Sequence, residues 1–221
     1  MKRREELPFF KKLPYTFDVD RILKDFDLIK DKNDDLTIEG GYGDLVGSKA
    51  PKLENAFNIG KYTEYVDGMV KGDYTQVGMT QYNPKAVNRE YNIKISNKRP
   101  DERHYNSLRP ELEGSYIHEV MNTFRGEATR TRIAILKPGA AIKPHIDYNT
   151  DYSVRYHIPL KTNDLCGFDN VDKQGNREEI HMGLGECWFL NQGFTHSAWN
   201  NGDTERWHLI VSVLPQEDLD D

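Results

Sequence analysis

Short strand-like segments separated by turn residues fill the carboxy-terminal half of this chain. Apolar and polar residues alternate within the segments, and Pro, Gly and Asn stand between them. The predicted strands are Arg130–Leu136, Ile142–Tyr148, Val154–Leu160, Glu178–Met182, Glu186–Leu190 and Arg206–Leu214. Because no helical pattern interrupts the series, the sequence predicts an antiparallel sandwich or barrel.

The amino-terminal half is predicted to be mixed and to pack on that β core. Asp18–Leu28 and Pro110–Phe124 have the apolar spacing of helices, and residues 61–82 alternate aromatic and polar side chains as strands do. The expected regions, within one domain overall, are a mixed α/β region (1–125), a jelly-roll core (126–215) and a solvated acidic tail (216–221). A polar loop carrying Asp164, Asp169 and Asp172 is also expected to be solvated.

Composition excludes several functional classes. The chain has 221 residues, of which 37% are hydrophobic and 30% charged, a balance typical of globular proteins. A formal charge of −6 argues against a general nucleic-acid partner. Met1–Glu6 is charged and leads into no long apolar run, so neither a signal peptide nor a membrane span is predicted. Cys166 and Cys187 form no CxxC pair and are expected to be buried free thiols, which favours a cytoplasmic location.

Two histidines and one carboxylate have the spacing of a metal site. His145 and Asp147 are two residues apart, so on an extended strand their side chains leave the same face. His196 follows later, after a turn-rich stretch. A lone histidine is more often structural, and the prediction therefore depends on the three residues together. Two imidazoles and a carboxylate form the facial triad that binds non-haem Fe(II) and leaves coordination positions open.

Arg206 adds an anchor for a carboxylate. It stands ten residues after His196, and its planar guanidinium suits a carboxylate held by two parallel hydrogen bonds. A metal triad together with such an anchor is what an enzyme that uses iron, 2-oxoglutarate and oxygen requires. The expected cofactors are Fe(II), 2-oxoglutarate as cosubstrate and O2, with ascorbate as the reductant in vitro.

Strand alternation places further polar residues at the predicted site. Arg155 and His157 share one face of their strand, opposite an apolar face, which indicates a lined cavity or, alternatively, an edge strand with a solvated face. Other side chains either form a substrate pocket or have ordinary roles as surface charges and core aromatics. These possible pocket residues are Arg130, Arg132, Tyr148 and Trp199.

Several motifs in this half resemble one known family. They are Leu136–Gly139, Pro144–Asp147, Arg155–Leu160, Gly185–Phe189, His196–Asn200 and Arg206. In order and spacing they resemble the aspartyl/asparaginyl β-hydroxylase family, whose bacterial branch includes free-proline hydroxylases. The resemblance covers about residues 130–213, and no recognisable motif is found in the first 125 residues.

The resemblance implies a mainly β fold with flanking helices, a double-stranded β-helix (cupin-like jelly roll), and Fe(II)/2-oxoglutarate dioxygenase activity. By motif position, the metal ligands would be His145, Asp147 and His196, and the 2-oxoglutarate contacts would be Arg206, Arg155 and His157. The animal members carry Gly where this chain has Asp147. That difference places the chain nearer the bacterial amino-acid hydroxylases.

The expected function is hydroxylation of an aliphatic carbon of a free amino acid, proline-like, or of a similar small molecule. One alternative is hydroxylation of a residue in a protein or peptide. Another is a non-hydroxylating, cupin-like metal-binding protein, which would have no need of the keto-acid anchor Arg206. A compact chain without a docking module favours the small substrate. The residues indicate neither the substrate's identity nor the oligomeric state.

Overall fold

The computed structural model describes residues 1–30, 70–71, 74–83, 85–86, 101–214 and 216–220. Its strands are β1 Phe10–Thr16, β2 Val70–Lys71, β3 Tyr74–Gly78, β4 Thr80–Gln81, β5 Ser107–Leu108, β6 Glu127–Leu136, β7 Ala141–His145, β8 Val154–Lys161, β9 Cys166–Val171, β10 Arg177–Ile180, β11 Glu186–Leu190, β12 Thr195–Asn200 and β13 Arg206–Leu214. Its α-helices are α1 Val19–Phe26 and α2 Tyr116–Thr123, and 3-10 turns occupy Arg4–Glu6, Glu102–His104, Pro110–Leu112 and Glu217–Leu219.

The strands form two sheets with interleaved connections. The larger sheet has the order β1-β11-β8-β13-β6-β3 and the smaller has β10-β9-β12-β7-β2. From β6 to β13, strands β6, β8, β11 and β13 lie in the larger sheet, while β7, β9, β10 and β12 lie in the smaller. All of these strands pair antiparallel. This order is the double-stranded β-helix, so the predicted jelly-roll fold is confirmed.

The outer face of the larger sheet carries the main apolar core. Alternate residues of β8 and β13 point outward and pack under the two helices. Members of this cluster include Ile22 and Phe26 of α1, Ile117 and Val120 of α2, and Tyr156, Leu209 and Val211 of the sheet. Phe124 stacks on Tyr156 with ring centroids 4.8 Å apart. Packing on this side leaves the inner face of the sheet free to line the space between the sheets.

The predicted helix α1 is confirmed, whereas the second predicted helix is interrupted. Asp18 caps α1 by accepting from the Arg21 backbone N–H at 3.1 Å. Residues 110–124 were expected to form one helix, but a 3-10 turn ends at Leu112 and α2 begins after its cap, Ser115. Gly114 lies between them with φ of +72°, a left-handed conformation that ends the first turn.

Four strands of the structure lie outside those predicted: β1, β5, β9 and β12. The expectation that Asp169 is solvated is wrong, because Asp169 is buried on β9 and accepts from Ser197 Oγ and from Arg177 Nε. The strand expected over 142–148 ends at His145. In the segment expected to alternate (61–82), residues 61–69 and 72–73 lie outside the described residues, and the remainder contains β2, β3 and β4.

The expected solvation of the acidic tail is also wrong for its first part. Asp218 and Leu219 are buried, and the Asp218 carboxylate accepts from the Arg125 backbone N–H at 3.2 Å and from Tyr15 Oη at 3.2 Å. A carboxylate with two such donors is stabilised in a partly apolar position. At the surface, Asp220 pairs with Lys2 at 2.9 Å.

None of the helices in the described part of the chain has the length and apolar character needed to cross a membrane. Cys166 and Cys187 are buried free thiols.

Candidate metal centre

His145 and His196 face each other across two strands of the smaller sheet. His145 is the last residue of β7, His196 lies near the start of β12, and the two are register partners. Their ring centroids are 4.2 Å apart. His196 is buried, whereas His145 keeps part of its side chain exposed. Strand pairing therefore brings together two imidazoles that are far apart in the sequence.

Asp147 follows the end of β7 and completes the cluster. Its backbone N–H donates to Gln192 O at 3.1 Å, which fixes it against the connection between β11 and β12. Its Oδ2 lies 3.9 Å from His145 Nε2 and 3.8 Å from His196 Nε2. The three ligand atoms lie within 4.8 Å of one another, and no other group of His, Cys, Asp and Glu in the described residues is arranged in this way.

Backbone carbonyls orient both imidazole rings. His145 Nδ1 lies 2.8 Å from Lys143 O, and His196 Nδ1 lies 3.0 Å from Phe194 O. A carbonyl oxygen can accept but not donate, so each ring donates from Nδ1, and in the neutral form of the ring the lone pair is then on Nε2. Two imidazole nitrogens and one carboxylate oxygen are the donor set of a facial metal site. The residues therefore fit a divalent transition metal.

Charge around Asp147 keeps it ionised. Arg155 Nη1 donates to Asp147 Oδ2. Burial alone would raise the pKa of Asp147, but Arg155 and the two imidazoles outweigh it and hold that pKa well below its usual value. Burial lowers the pKa of His196 to about 4, so its ring is neutral at neutral pH. Both groups are thus in the protonation state that metal binding needs.

Arg206 is a buried cation without a carboxylate partner among the described residues. It begins β13, is 5% exposed, and its Nε and Nη2 atoms make no hydrogen bond. Its guanidinium carbon lies 4.1 Å from the centroid of the Phe168 ring. Burial lowers its pKa to about 10, so it remains charged at neutral pH. A buried charge of this kind is suited to binding an anion.

Two buried histidines lie on the same inner face as Arg206. The rings of His157 and His208 contact Phe168 with centroids 5.2 and 5.5 Å apart. Among the residues that the structure describes, both nitrogens of His157 and Nδ1 of His208 find no hydrogen-bond partner. Burial, reinforced by Arg206, lowers the pKa of each histidine well below its usual value. His208 stands two residues after Arg206 on β13 and so shares its face, and no role was predicted for it.

Arg130 and Arg132 both reach the inner side of the larger sheet at a bulge in β6. The register of β6 against β13 slips here, and Arg130 has φ of +38°, which is uncommon for any residue but glycine. Arg130 pairs with Glu102, whereas Arg132 donates to Arg130 O at 2.9 Å and pairs with no carboxylate among the described residues. Burial, Arg130 and Arg155 lower the pKa of Arg132 to about 9.

Glu102 is a carboxylate of this site that sequence analysis missed. It is 4% exposed and accepts from Arg130 Nη1 and from Arg155 Nη2, the latter at 3.1 and 3.3 Å. Arg155 therefore bridges Glu102 and Asp147. A single glutamate in a 3-10 turn, in a segment without hydrophobic periodicity, carries no signal that sequence reasoning can use.

The structure separates the two aromatic residues expected at the pocket. Tyr148 follows Asp147, and its ring centroid lies 4.1 Å from that of Tyr152. Trp199 is three residues from His196 on a regularly paired strand and so leaves the opposite face of β12. Its ring covers Gly167 so closely that a Cβ there would lie 2.4 Å from Trp199 Cζ2. Trp199 therefore does not line the space between the sheets.

Comparisons with known proteins identify the region that carries this site. Residues 110–215 match the family described as Aspartyl/Asparaginyl beta-hydroxylase. The predicted family resemblance is confirmed. L-proline cis-4-hydroxylase of Rhizobium meliloti (strain 1021) is 39% identical over 100 residues, which are 43% of this chain and 34% of that protein. L-proline cis-3-hydroxylase 1 of a Streptomyces species is 29% identical over 104 residues, which are 44% of this chain and 34% of that protein.

The matched stretch thus spans 34% of the length of each of these curated relatives. Among solved structures, an oxidoreductase of the 2OG-Fe(II) oxygenase family from Burkholderia pseudomallei is 14% identical and has a TM-score of 0.46. That alignment covers 79% of this chain and 91% of the other. The fold assignment rests on the strand order of the chain itself.

The buried histidines should make the metal-free protein less stable in acid. The folded pKa values of His157, His196 and His208 lie below the unfolded value, so the unfolded chain takes up protons first as the pH falls. The contribution of these neutral histidines to stability should be complete above about pH 7. Below about pH 6.5 the free energy of unfolding should decrease, by at most about 1.4 kcal/mol per pH unit for each histidine. Urea unfolding with a chelator between pH 7.5 and 5 measures this slope.

His208→Phe should reduce that slope, because one proton-binding group is removed. Ile210→Val, on the same inner face, changes packing without a titrating group and should leave the slope as in the parent protein. An unchanged slope in His208→Phe would contradict the buried neutral state of this ring.

Proposed function

We propose that the chain is an Fe(II)/2-oxoglutarate-dependent dioxygenase that hydroxylates an aliphatic carbon of a free, proline-like amino acid or a similar small molecule. The observation that carries the proposal is the convergence of His145, Asp147 and His196 in a barrel that also buries Arg206 without a carboxylate partner among the described residues. The names of the two curated relatives support an amino-acid substrate. A cytoplasmic location belongs to the same proposal, because Fe(II) persists in reducing surroundings.

Three side chains of this chain would hold the iron. They are His145 and His196, each through Nε2, and Asp147 through Oδ2. The backbone carbonyls contact Nδ1 of each ring and leave Nε2 available, and Asp147 Oδ2 lies 3.9 and 3.8 Å from these two Nε2 atoms. The chemistry supplied at such a centre is oxidative decarboxylation of 2-oxoglutarate by O2, coupled to hydroxylation of an aliphatic C–H bond, with ascorbate as reductant in vitro. The protein's part is to bind, orient and enclose the reactants.

Arg206 would bind the distal carboxylate of 2-oxoglutarate. The keto acid is a dianion that would enter a buried space, and Arg206, which has no carboxylate partner in the described part of the chain, offers it a positive charge and two parallel donors. Arg155 and His157 would contact the same cosubstrate from the adjacent strand, β8, whose inner face they share. Because His157 is neutral, it can donate one hydrogen bond without adding charge.

Arg132 would bind the carboxylate of the amino-acid substrate, beside Arg130. Arg130 already pairs with Glu102, whereas Arg132 has no carboxylate partner among the described residues. Two buried guanidiniums that have no carboxylate partner among the described residues match two anionic reactants, the keto acid and the amino acid. This argument favours a substrate with a free carboxylate over a residue inside a peptide.

Succinate formation tests the proposal. Purified protein is incubated with Fe(II), ascorbate and 2-oxoglutarate, with and without a panel of free amino acids that includes L-proline. We expect one amino acid to stimulate succinate and to gain one oxygen atom by mass spectrometry. His196→Ala should abolish both signals and remain folded by circular dichroism. Stimulation by peptides alone would favour the peptide alternative, and bound metal without succinate would favour a cupin-like binding protein.

Arg206→Ala should raise the 2-oxoglutarate concentration needed for half-maximal turnover. Loss of a buried charge pair costs roughly 2–5 kcal/mol, which corresponds to about 30-fold to about 5,000-fold. Arg206→Lys should restore part of the loss, because a point charge does not reproduce the planar fork. Arg177→Ala, which removes a surface arginine of β10, is the matched control. Unchanged cosubstrate dependence in Arg206→Ala would assign the anchor to another cation.

Arg132→Gln should instead raise the KM for the amino acid. The loss in kcat/KM for the amino acid should correspond to roughly 2–5 kcal/mol of transition-state stabilisation, and the KM for 2-oxoglutarate should change less. The parent enzyme should prefer the amino acid over its carboxamide, and Arg132→Gln should lose most of that preference. Measuring succinate with both compounds gives the ratio. A preference that survives the substitution contradicts the assignment of Arg132.

A further inference from the structure

Glu102 reaches the centre from outside the region that matches the family, which begins at residue 110. It lies in the 3-10 turn Glu102–His104, and β6 with the bulge at Arg130 packs against this turn. A fully buried carboxylate needs several donors or cations to stay ionised. Its presence here calls for an explanation that the family motifs do not provide.

Hydrogen bonds on both sides hold Glu102 in place. The Glu102 backbone N–H donates to Tyr152 Oη at 2.9 Å, and Tyr152 Oη donates to Asp101 Oδ1 at 2.7 Å. On the other side, the Arg130 backbone N–H donates to Tyr105 O at 2.7 Å. The turn is thus attached to the barrel at Asp101 and Glu102 on one side and at Tyr105 on the other, and these contacts position the carboxylate.

Glu102 and Asp147 share one guanidinium. Arg155 Nη2 lies 3.1 and 3.3 Å from the two oxygens of Glu102, and Arg155 Nη1 donates to Asp147 Oδ2. Burial would raise the pKa of Glu102, but Arg130 and Arg155 outweigh it and lower that pKa, so Glu102 is ionised. Arg155 is therefore held between two carboxylates and does not belong to Asp147 alone.

The shared oxygen is the one that the proposed metal needs. Asp147 Oδ2 lies 3.9 Å from His145 Nε2 and 3.8 Å from His196 Nε2. A divalent cation and the Arg155 guanidinium therefore compete for the same oxygen, and they repel each other at short range. Glu102 offers Arg155 a second acceptor and offsets its charge.

We propose that Glu102 is a positioning residue for the metal site: it holds the Arg155 guanidinium so that Asp147 can accept a divalent cation beside it. This inference rests on the proposed function, in which Asp147 is a metal ligand. Without the charge of Glu102, Arg155 would turn fully to Asp147, and the metal would have to displace it against a larger excess of positive charge.

Metal binding without turnover tests the inference. Mn(II) serves as a redox-stable probe, and its dissociation constant is measured by calorimetry on the full chain with neither 2-oxoglutarate nor substrate. Glu102→Gln keeps the shape and removes the charge, and should weaken Mn(II) binding at least about tenfold. Glu102→Asp keeps the charge and should recover part of the loss. Glu178→Gln removes an exposed carboxylate of β10 and should bind as the parent does.

A double-mutant cycle separates positioning from general stability. Because Glu102 acts through Arg155, Glu102→Gln should have little effect in an Arg155→Met background, where no guanidinium competes for Asp147. Arg155→Met alone should bind Mn(II) at least as tightly as the parent. This variant, with the double variant, keeps the test decisive if Glu102→Gln alone does not fold.

Three results would overturn the inference. They are parent-like Mn(II) binding by folded Glu102→Gln, an equal loss in the Arg155→Met background, and weaker binding by Arg155→Met. Each leaves the proposed function standing as long as the parent binds Mn(II) and His196→Ala does not. If the parent protein shows no Mn(II) binding that depends on His196, the proposed metal site fails as well.

Discussion

Buried positive charge between the two sheets is the constraint on which the site depends. Arg132 and Arg206 have no carboxylate partner among the described residues, and burial lowers their pKa values to about 9 and about 10. An unpaired buried ion costs several kcal/mol, so this arrangement is maintained by the surrounding fold and not by local pairing. The helices support it from outside, because their apolar faces cover the outer side of the same sheet. The resulting interior is organised in advance to receive anions.

Strand alternation predicted most of the side chains that meet in this interior. Arg155 and His157 were placed on one face of β8, and the structure buries both on the inner face. His145 and Asp147 also converge, although β7 ends at His145, because Asp147 continues in the same direction and is held by Gln192. A spacing of two residues is a local property, and local geometry is what sequence patterns record.

Features that depend on distant contacts were not predictable. Glu102 approaches Arg155 across 53 positions of sequence, and nothing near Glu102 indicates that contact. Asp218 looked like part of a charged tail, yet donors from Tyr15 and Arg125 make its burial favourable. Trp199 seemed close to the site in sequence, but three residues along a strand reverse the direction of a side chain. In each example the deciding partner lies on another element.

Charge balance links the metal and the keto acid within the proposed function. In that proposal a divalent cation beside Asp147 would add two positive charges to an interior already rich in arginine, and the dianion of 2-oxoglutarate would add two negative charges near Arg206. Bound together they would leave the net charge of the site unchanged, whereas either alone would shift it by two units. Each ligand would therefore lower the electrostatic cost of binding the other, and by linkage the gain in affinity would be the same in both directions. Glu102 matters in this balance because it compensates Arg130 and Arg155 before either ligand binds.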